Sequence, residues 1–361
     1  MNFDFSEEQK ALRDSVRRFL SDESGSDAVR AVYRSELGYD PALWAKMGEM
    51  GLNGAAFPES YGGSGAGYLE LCVVAEELGR ALASVPFLSS IGLAAELLIC
   101  AGSEDQKQRY LPAMAEGRSV GTVALDIPQG ALQLADGLLD GVAPIIADAG
   151  IADFAIIACG EGEALSLGIV DLASPTVTLR DRPSLDPCHR FADISFAGTP
   201  FERLETNAPT AAAAAARDCA AILAAFEQLG GADRALEMAR DYALERRAFG
   251  RQIGSFQAIK HMLADMFVAT ELARSNAYYA AWALASDSDQ LALAAATARV
   301  SATRAYELCA ANNIQVHGGI GFTAELDCHL YYRRSSGLAH ALGSVAFWED
   351  RLINELDRQR G

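Results

Sequence analysis

The sequence predicts an α+β protein in which two helical regions flank a small β-domain. Three observations carry this expectation. Apolar residues recur at helical spacing up to about residue 118, give way to short β-branched runs up to about residue 203, and return to helical periodicity from there to residue 361. The predicted divisions are 1–118, 119–203 and 204–361. At 361 residues and 50% hydrophobic content the chain buries a large core and has length for two or three structural units.

In the first region Leu12, Val16, Phe19 and Leu20 set the helical period, and short Gly and Pro punctuation separates the helices. The loop Phe57-Pro58-Glu59-Ser60-Tyr61-Gly62-Gly63-Ser64-Gly65 precedes a helix predicted to begin around Tyr68 and to end near Glu76-Glu77-Leu78-Gly79-Arg80. The middle region carries the segments Val120–Ala124, Phe154–Ala158, Leu167–Val170 and Ala192–Phe196, with Pro, Gly and Asp between them. Their close spacing predicts a small β-barrel or sandwich, not alternating parallel βαβ units. From Ala208 the chain predicts a helical bundle, with an alanine run at 211–216 suited to close helix packing and a periodic run through Ile259, Met262, Leu263, Met266 and Phe267.

Thirty basic against forty-eight acidic side chains give a net charge of −18, which repels a phosphate backbone and makes nucleic acid a poor partner. Seven cysteines lie scattered in apolar stretches without CxxC or zinc spacing, as expected of reduced, buried thiols and no metal site. The first twenty residues lack the basic flank and apolar block of a secretory signal, and the apolar stretch from Leu88 to Ala101 is too short and too interrupted to span a bilayer. A cytoplasmic protein without a membrane role is expected.

Two segments carry chemistry. In Glu245-Arg246-Arg247-Ala248-Phe249-Gly250-Arg251-Gln252-Ile253, followed by Phe256-Gln257-Ala258-Ile259-Lys260-His261, a guanidinium can fork onto pyrophosphate oxygens, a ring can pack on a cofactor, and an amide can donate and accept. In Gln315-Val316-His317-Gly318-Gly319-Ile320-Gly321-Phe322, successive glycines let the backbone approach a phosphate or adenosine. Read alone, the first is also compatible with an ordinary turn between helices, and the second with a glycine helix stop.

The order of domains and these motifs resemble the acyl-CoA dehydrogenase family over nearly the whole chain. Further support comes from Trp44-x-x-Met47 before Gly51-Leu52, from Pro58-Glu59-x-Tyr61-Gly62-Gly63, and from the run Gly102 to Lys107 leading to Tyr110-Leu111-Pro112. The resemblance implies an acyl-CoA dehydrogenase-like fold with FAD held at an interface between chains. Arg246, Phe249, Gln257, Gln315, Gly318 and Gly319 would then contact the FAD of a neighbouring subunit.

The sequence also departs from that family. The flavin-seating T-E-P-x-A-x-S and W-[IT]-[TS] segments correspond here to Ala124-Leu125-Asp126-Ile127-Pro128-Gln129-Gly130 and to the stretch from Ala143 to Ala149, which lack the indole and the hydroxyl pattern. The family's glutamate base falls at Leu342 or, in a second subgroup, at Ala220, and neither residue removes a proton. Asp218 is a weak substitute and Glu227 a weaker one, while His317, His329 and His340 read as packing or surface residues. The resemblance therefore implies the degenerate subunit of an α2β2 heterotetramer that desaturates an acyl-CoA at the α,β-bond. In that assembly the partner's carboxylate takes the α-proton, the flavin takes the β-hydride, and electrons leave through an electron-transfer flavoprotein. A homotetrameric dehydrogenase or related flavin oxidase with a non-standard base, and a flavin-free scaffold, are the alternatives.

Overall fold

The computed structural model describes residues 6–360. The chain begins with helices α1 (Glu7–Glu23), α2 (Ser26–Tyr33), α3 (Pro41–Glu49), α4 (Tyr68–Arg80), α5 (Glu96–Ala101) and α6 (Glu104–Ala115). Strands β1 (Gly121–Ala124), β2 (Leu132–Ala135), β3 (Leu138–Ala147), β4 (Phe154–Cys159), β5 (Ser166–Asp171), β6 (Val177–Arg182), β7 (Phe191–Pro200) and β8 (Glu202–Arg203) follow. The rest comprises α7 (Pro209–Glu245), the short strands β9 (Arg247–Ala248) and β10 (Arg251–Gln252), and then α8 (Gln257–Ala285), α9 (Leu291–His317), α10 (Cys328–His340) and α11 (Val345–Arg360). Local chemistry fixes the helix starts. Ser6 and Ser103 each accept from the backbone three residues on and are answered by Gln9 and Gln106 in capping boxes, and Asp40 caps α3 ahead of Pro41.

Two compact units form. One comprises residues 31–67 and 84–220. Within it, two four-stranded sheets, ordered β1-β4-β5-β8 and β2-β3-β7-β6, share an apolar core that includes Leu139, Ile146, Ile157, Val170, Ile194 and Phe196. The pairing of β1 with β4 is parallel, and the other pairings are antiparallel. All four strands read from the sequence are present. β2, β3, β6 and β8 were not anticipated: β8 has only two residues, β6 is a mostly exposed edge strand rich in charge, and β3 contains Gly141, Pro144 and two register shifts. The apolar stretch after Pro86 forms a buried π-helical segment over Phe87–Ala95 before α5.

The other unit comprises residues up to 30, 68–83 and 221 onward. Here α4 and α7 cross with no room for side chains. A Cβ on Gly79 would stand 1.8 Å from the Glu227 carbonyl oxygen, and one on Gly230 1.8 Å from that of Glu76. α8 and α9 pack through small residues, with Ala273, Ala277 and Ala280 buried on one and Ala295, Ala298 and Ala302 on the other. Phe267, the last residue of the periodic run, is exposed together with Val268 and Leu272, whereas Met266 is buried. Buried charge also ties α1 to this unit. The Glu76 carboxylate accepts from Arg13 at 3.2 Å and from Arg274 at 2.7 Å, and Arg274 reaches Asp233 as well.

Six of the seven cysteines are buried, whereas Cys100, at the end of α5, is exposed, contrary to the expectation of uniform burial. Among the described residues, no helix is long and apolar enough to cross a membrane, and no group of three or more His, Cys, Asp and Glu could hold a metal ion.

Candidate cofactor site

The segment after α7 folds into a minimal hairpin. Arg247 pairs with Gln252 and Ala248 with Arg251, leaving Phe249 and Gly250 as a two-residue loop with φ of +52° and +81°. Two successive positive φ values define a tight hairpin turn that favours Asn, Asp or Gly at its first position. Phenylalanine stands there instead, and it is 94% exposed. A large ring held in an unfavourable backbone region and directed into solvent contributes little to this chain's own stability. Its conformation makes sense as a contact surface for something outside the chain.

The hairpin is fastened from below. The Arg246 N–H donates to the Tyr242 carbonyl at 2.8 Å, and the Ile253 N–H donates to the Arg246 carbonyl at 2.9 Å. Phe256 stands edge-on to Phe249 with ring centres 6.1 Å apart, and the Arg251 guanidinium lies 4.1 Å over the Phe256 ring. The Arg246 side chain is exposed and makes no ion pair among the described residues. Gln257 is the exposed first residue of α8, whose N-terminus has no side-chain cap. Arg246, Arg247, Arg251 and Lys260 thus place four exposed cations along this segment of a strongly acidic chain.

The second segment ends α9. Gly318 has φ +65° and ψ −142°, a combination essentially restricted to glycine, and its N–H donates back to the carbonyls of Gln315 and Ile314. A Cβ on Gly318 or Gly319 would meet no heavy atom within 4 Å, so both backbones border open space. Gln315 is exposed, and Phe322 is 82% exposed. Tyr242, one turn before Arg246, stacks on His317, the residue before Gly318, with ring centres 4.2 Å apart. All six residues expected from the sequence lie at or beside these two segments, and the Tyr242–His317 contact brings the segments' bases together. Sequence reasoning missed Tyr242, because a contact between distant helices leaves no local signal, and it assigned no role to Arg251 and Phe256 although both lie within the quoted segment.

No candidate base is displayed alongside them. Leu342 is partly buried against Ala221, Ala296, Val300 and Trp348, and the Trp348 indole N–H donates to the Leu342 carbonyl at 2.9 Å. Ala220 is wholly buried. Glu227 is buried against Arg334 at 3.4 Å, and Arg334 also reaches the carbonyls of Leu82 and Ala83, an arrangement that joins helices. Asp218 is buried, and its neighbour Arg217 is engaged by Asp126. His317 is buried in the stack. His329 is held below the usual imidazole range by burial, with Arg30 and Arg333 acting in the same direction, and His340 is exposed at the end of α10. Fully buried Arg299, with its pKa lowered to about 10 by burial, holds Gln228, Thr303 and the Leu338 carbonyl, and so fixes the end of α10 just before Leu342.

The β-rich unit holds the two stretches whose sequences depart from the family's flavin-seating segments. Leu125, Ile127, Pro128, Leu132 and Cys159 help line a cavity of about 190 Å³. Ile145, within the stretch from Ala143 to Ala149, sits in a β-bulge at φ +56° and is 64% exposed, with its N–H held by Asp193 at 3.0 Å. The Asp193 carboxyl is held below the usual range chiefly by its hydrogen bond from Arg182.

An exposed aromatic hairpin and an open glycine turn, fastened together at the Tyr242–His317 contact, form the candidate cofactor site of a chain built from helices and from two sheets that share one core. Residues 6–118 match the acyl-CoA dehydrogenase N-terminal domain and residues 211–347 the acyl-CoA dehydrogenase C-terminal domain. The chain is 35% identical over 351 residues to the acyl-CoA dehydrogenase IpdE2 of Mycobacterium tuberculosis, covering 97% of this chain and 98% of that one. It is 31% identical to the caffeyl-CoA reductase-Etf complex subunit CarC of Acetobacterium woodii, covering 91% of this chain and 93% of that one. Its fold matches a chain of the ChsE4-ChsE5 complex from Mycobacterium tuberculosis with a TM-score of 0.91 and 28% identity, covering 99% of each. The chain belongs to the acyl-CoA dehydrogenase family, oxidoreductases whose members are flavoproteins that typically bind FAD.

Proposed function

We propose that this chain completes the FAD site of a heteromeric acyl-CoA dehydrogenase without supplying the catalytic base. The observation that carries this reading is a contrast within one unit. The segments bearing Arg246, Phe249, Gln257, Gln315, Gly318 and Gly319 face outward with open space before them, while Leu342, at the base position, is built into an apolar cluster under Trp348. Two apolar residues at the family's base positions leave α-proton removal to another chain.

The residues present fit FAD. Arg246 offers a planar fork of donors for pyrophosphate, Phe249 an exposed ring face, Gln257 and Gln315 amides, and Gly318 and Gly319 backbone approachable at van der Waals distance. When bound, the flavin supplies hydride acceptance for α,β-desaturation of an acyl-CoA. This chain's own part is to bind, orient and enclose. The names of the CarC and ChsE4-ChsE5 proteins, a subunit of an Etf complex and a two-protein complex, support an acyl-CoA dehydrogenase partner in an α2β2 assembly and an electron-transfer flavoprotein as acceptor.

Asp218 provides the test, because it is the carboxylate nearest in sequence to the alternative base position. Asp218→Asn preserves size and removes basicity, so turnover of the assembled protein should stay nearly unchanged. A loss of several orders of magnitude with flavin content intact would place the base in this chain.

A further inference from the structure

We infer that the stack of Tyr242 on His317 is a clasp that sets the spacing of the two FAD-contacting segments, which makes both residues positioning residues for the cofactor. The inference rests on reading those segments as an FAD half-site. Each ring sits directly beneath one segment. Tyr242 accepts the Arg246 N–H through its carbonyl at 2.8 Å, so a shift of the Tyr242 turn carries the hairpin with it. His317 is the last residue of α9, immediately before Gly318.

The His317 side chain is held at three points, two on the ring and one at Cβ. Its Nδ1 lies 2.8 Å from the Asn313 carbonyl, which only accepts, so Nδ1 carries the hydrogen. Gly321 folds back onto it so closely that a Cβ there would stand 2.7 Å from the His317 Cβ. Tyr242 stacks on the ring at 4.2 Å between ring centres and 26° between planes. One turn earlier the same seam continues, with the Asn313 amide against the Met238 sulfur at 4.0 Å. Residues 238 and 242 of α7 thus meet 313 and 317 of α9 on successive turns, and the register of that seam sets the distance from Arg246 and Phe249 to Gly318 and Gly319. Helix ends fray unless something fastens them, and a ligand bridging two ends binds best where their separation is fixed beforehand.

The test compares Tyr242→Leu, Tyr242→Phe, Arg246→Ala and Phe226→Leu in the protein purified with its partner, reading FAD affinity by fluorescence and backbone hydrogen exchange over 246–252 and 317–323. Phe226 stacks on Tyr278 elsewhere in the same unit and controls for general loss of aromatic packing. An aromatic pair contributes enough that Tyr242→Leu should weaken FAD binding by about three- to tenfold. Exchange should rise in both segments together, Tyr242→Phe should behave as the parent protein, and Phe226→Leu should lower stability while leaving FAD affinity unchanged. If Arg246→Ala weakens FAD binding and Tyr242→Leu does not, or if Phe226→Leu weakens it equally, the clasp is wrong and the half-site stands. If Arg246→Ala also leaves affinity unchanged, the half-site reading falls and the clasp with it.

Discussion

Arg246 is the residue on which the cofactor reading leans most, because a charged fork free of ion pairs among the described residues stands beside an exposed ring and an open glycine turn. Arg246→Ala should weaken FAD retention about ten- to a hundredfold, the effect of losing a charged hydrogen bond of roughly 1.5–3 kcal/mol, without unfolding the subunit. Equilibrium dialysis of the assembled protein, with circular dichroism as the folding control, measures this, and unchanged affinity removes Arg246 from the site. Ile145 makes the opposite kind of case. A β-branched residue at φ +56° is strained, so Ile145→Gly should raise the unfolding temperature if the bulge keeps its hydrogen bond to Asp193. A fall would show that the exposed side chain is covered in the assembly. The Arg246 and Gly318 segments stood out in the sequence because residue type and spacing, joined to the family resemblance, mark them. Ile145 itself was not singled out, only the stretch from Ala143 to Ala149 around it, since a strained φ leaves no mark in composition.

At the scale of elements, the sequence disclosed what local periodicity encodes. The capping boxes of Ser6 with Gln9 and Ser103 with Gln106, which satisfy helix-end donors reciprocally at the starts of α1 and α6, emerge from the structure. The charged edge strand β6 and the register-shifted β3 lie outside that signal, because pairing with β7, not their own alternation, makes them strands. The same limit applies to buried charge. Nothing local marks Glu76 as the acceptor of both Arg13 and Arg274, a junction between α1, α4 and α8. Burial pushes the Glu76 carboxyl up while Arg274 and Arg13 pull it down. Removing its charge would leave two largely buried guanidiniums undercompensated, so Glu76→Gln should destabilise the unit by about 3 kcal/mol. Glu7→Gln, which breaks only an exposed pair with Lys10, should leave the melting temperature where it is. Equal melting of the two variants would show that the buried junction contributes nothing.

For the whole molecule, the outward-facing Arg246 and Gly318 segments and the apolar cluster around Leu342 both support the proposal that a second, different chain completes the working centre. The order of helices, sheets and helices was legible along the chain. The two compact units were not, because each gathers segments from distant parts of the sequence. Co-expression with a candidate acyl-CoA dehydrogenase partner that carries its own base, followed by native mass measurement and flavin absorbance on the purified complex, tests the central claim most directly. An α2β2 tetramer holding two FADs, with the chain alone binding FAD poorly and gaining thermal stability on assembly, is the predicted result. A homotetramer of this chain with one tightly bound FAD per subunit, and turnover of its own, would contradict it.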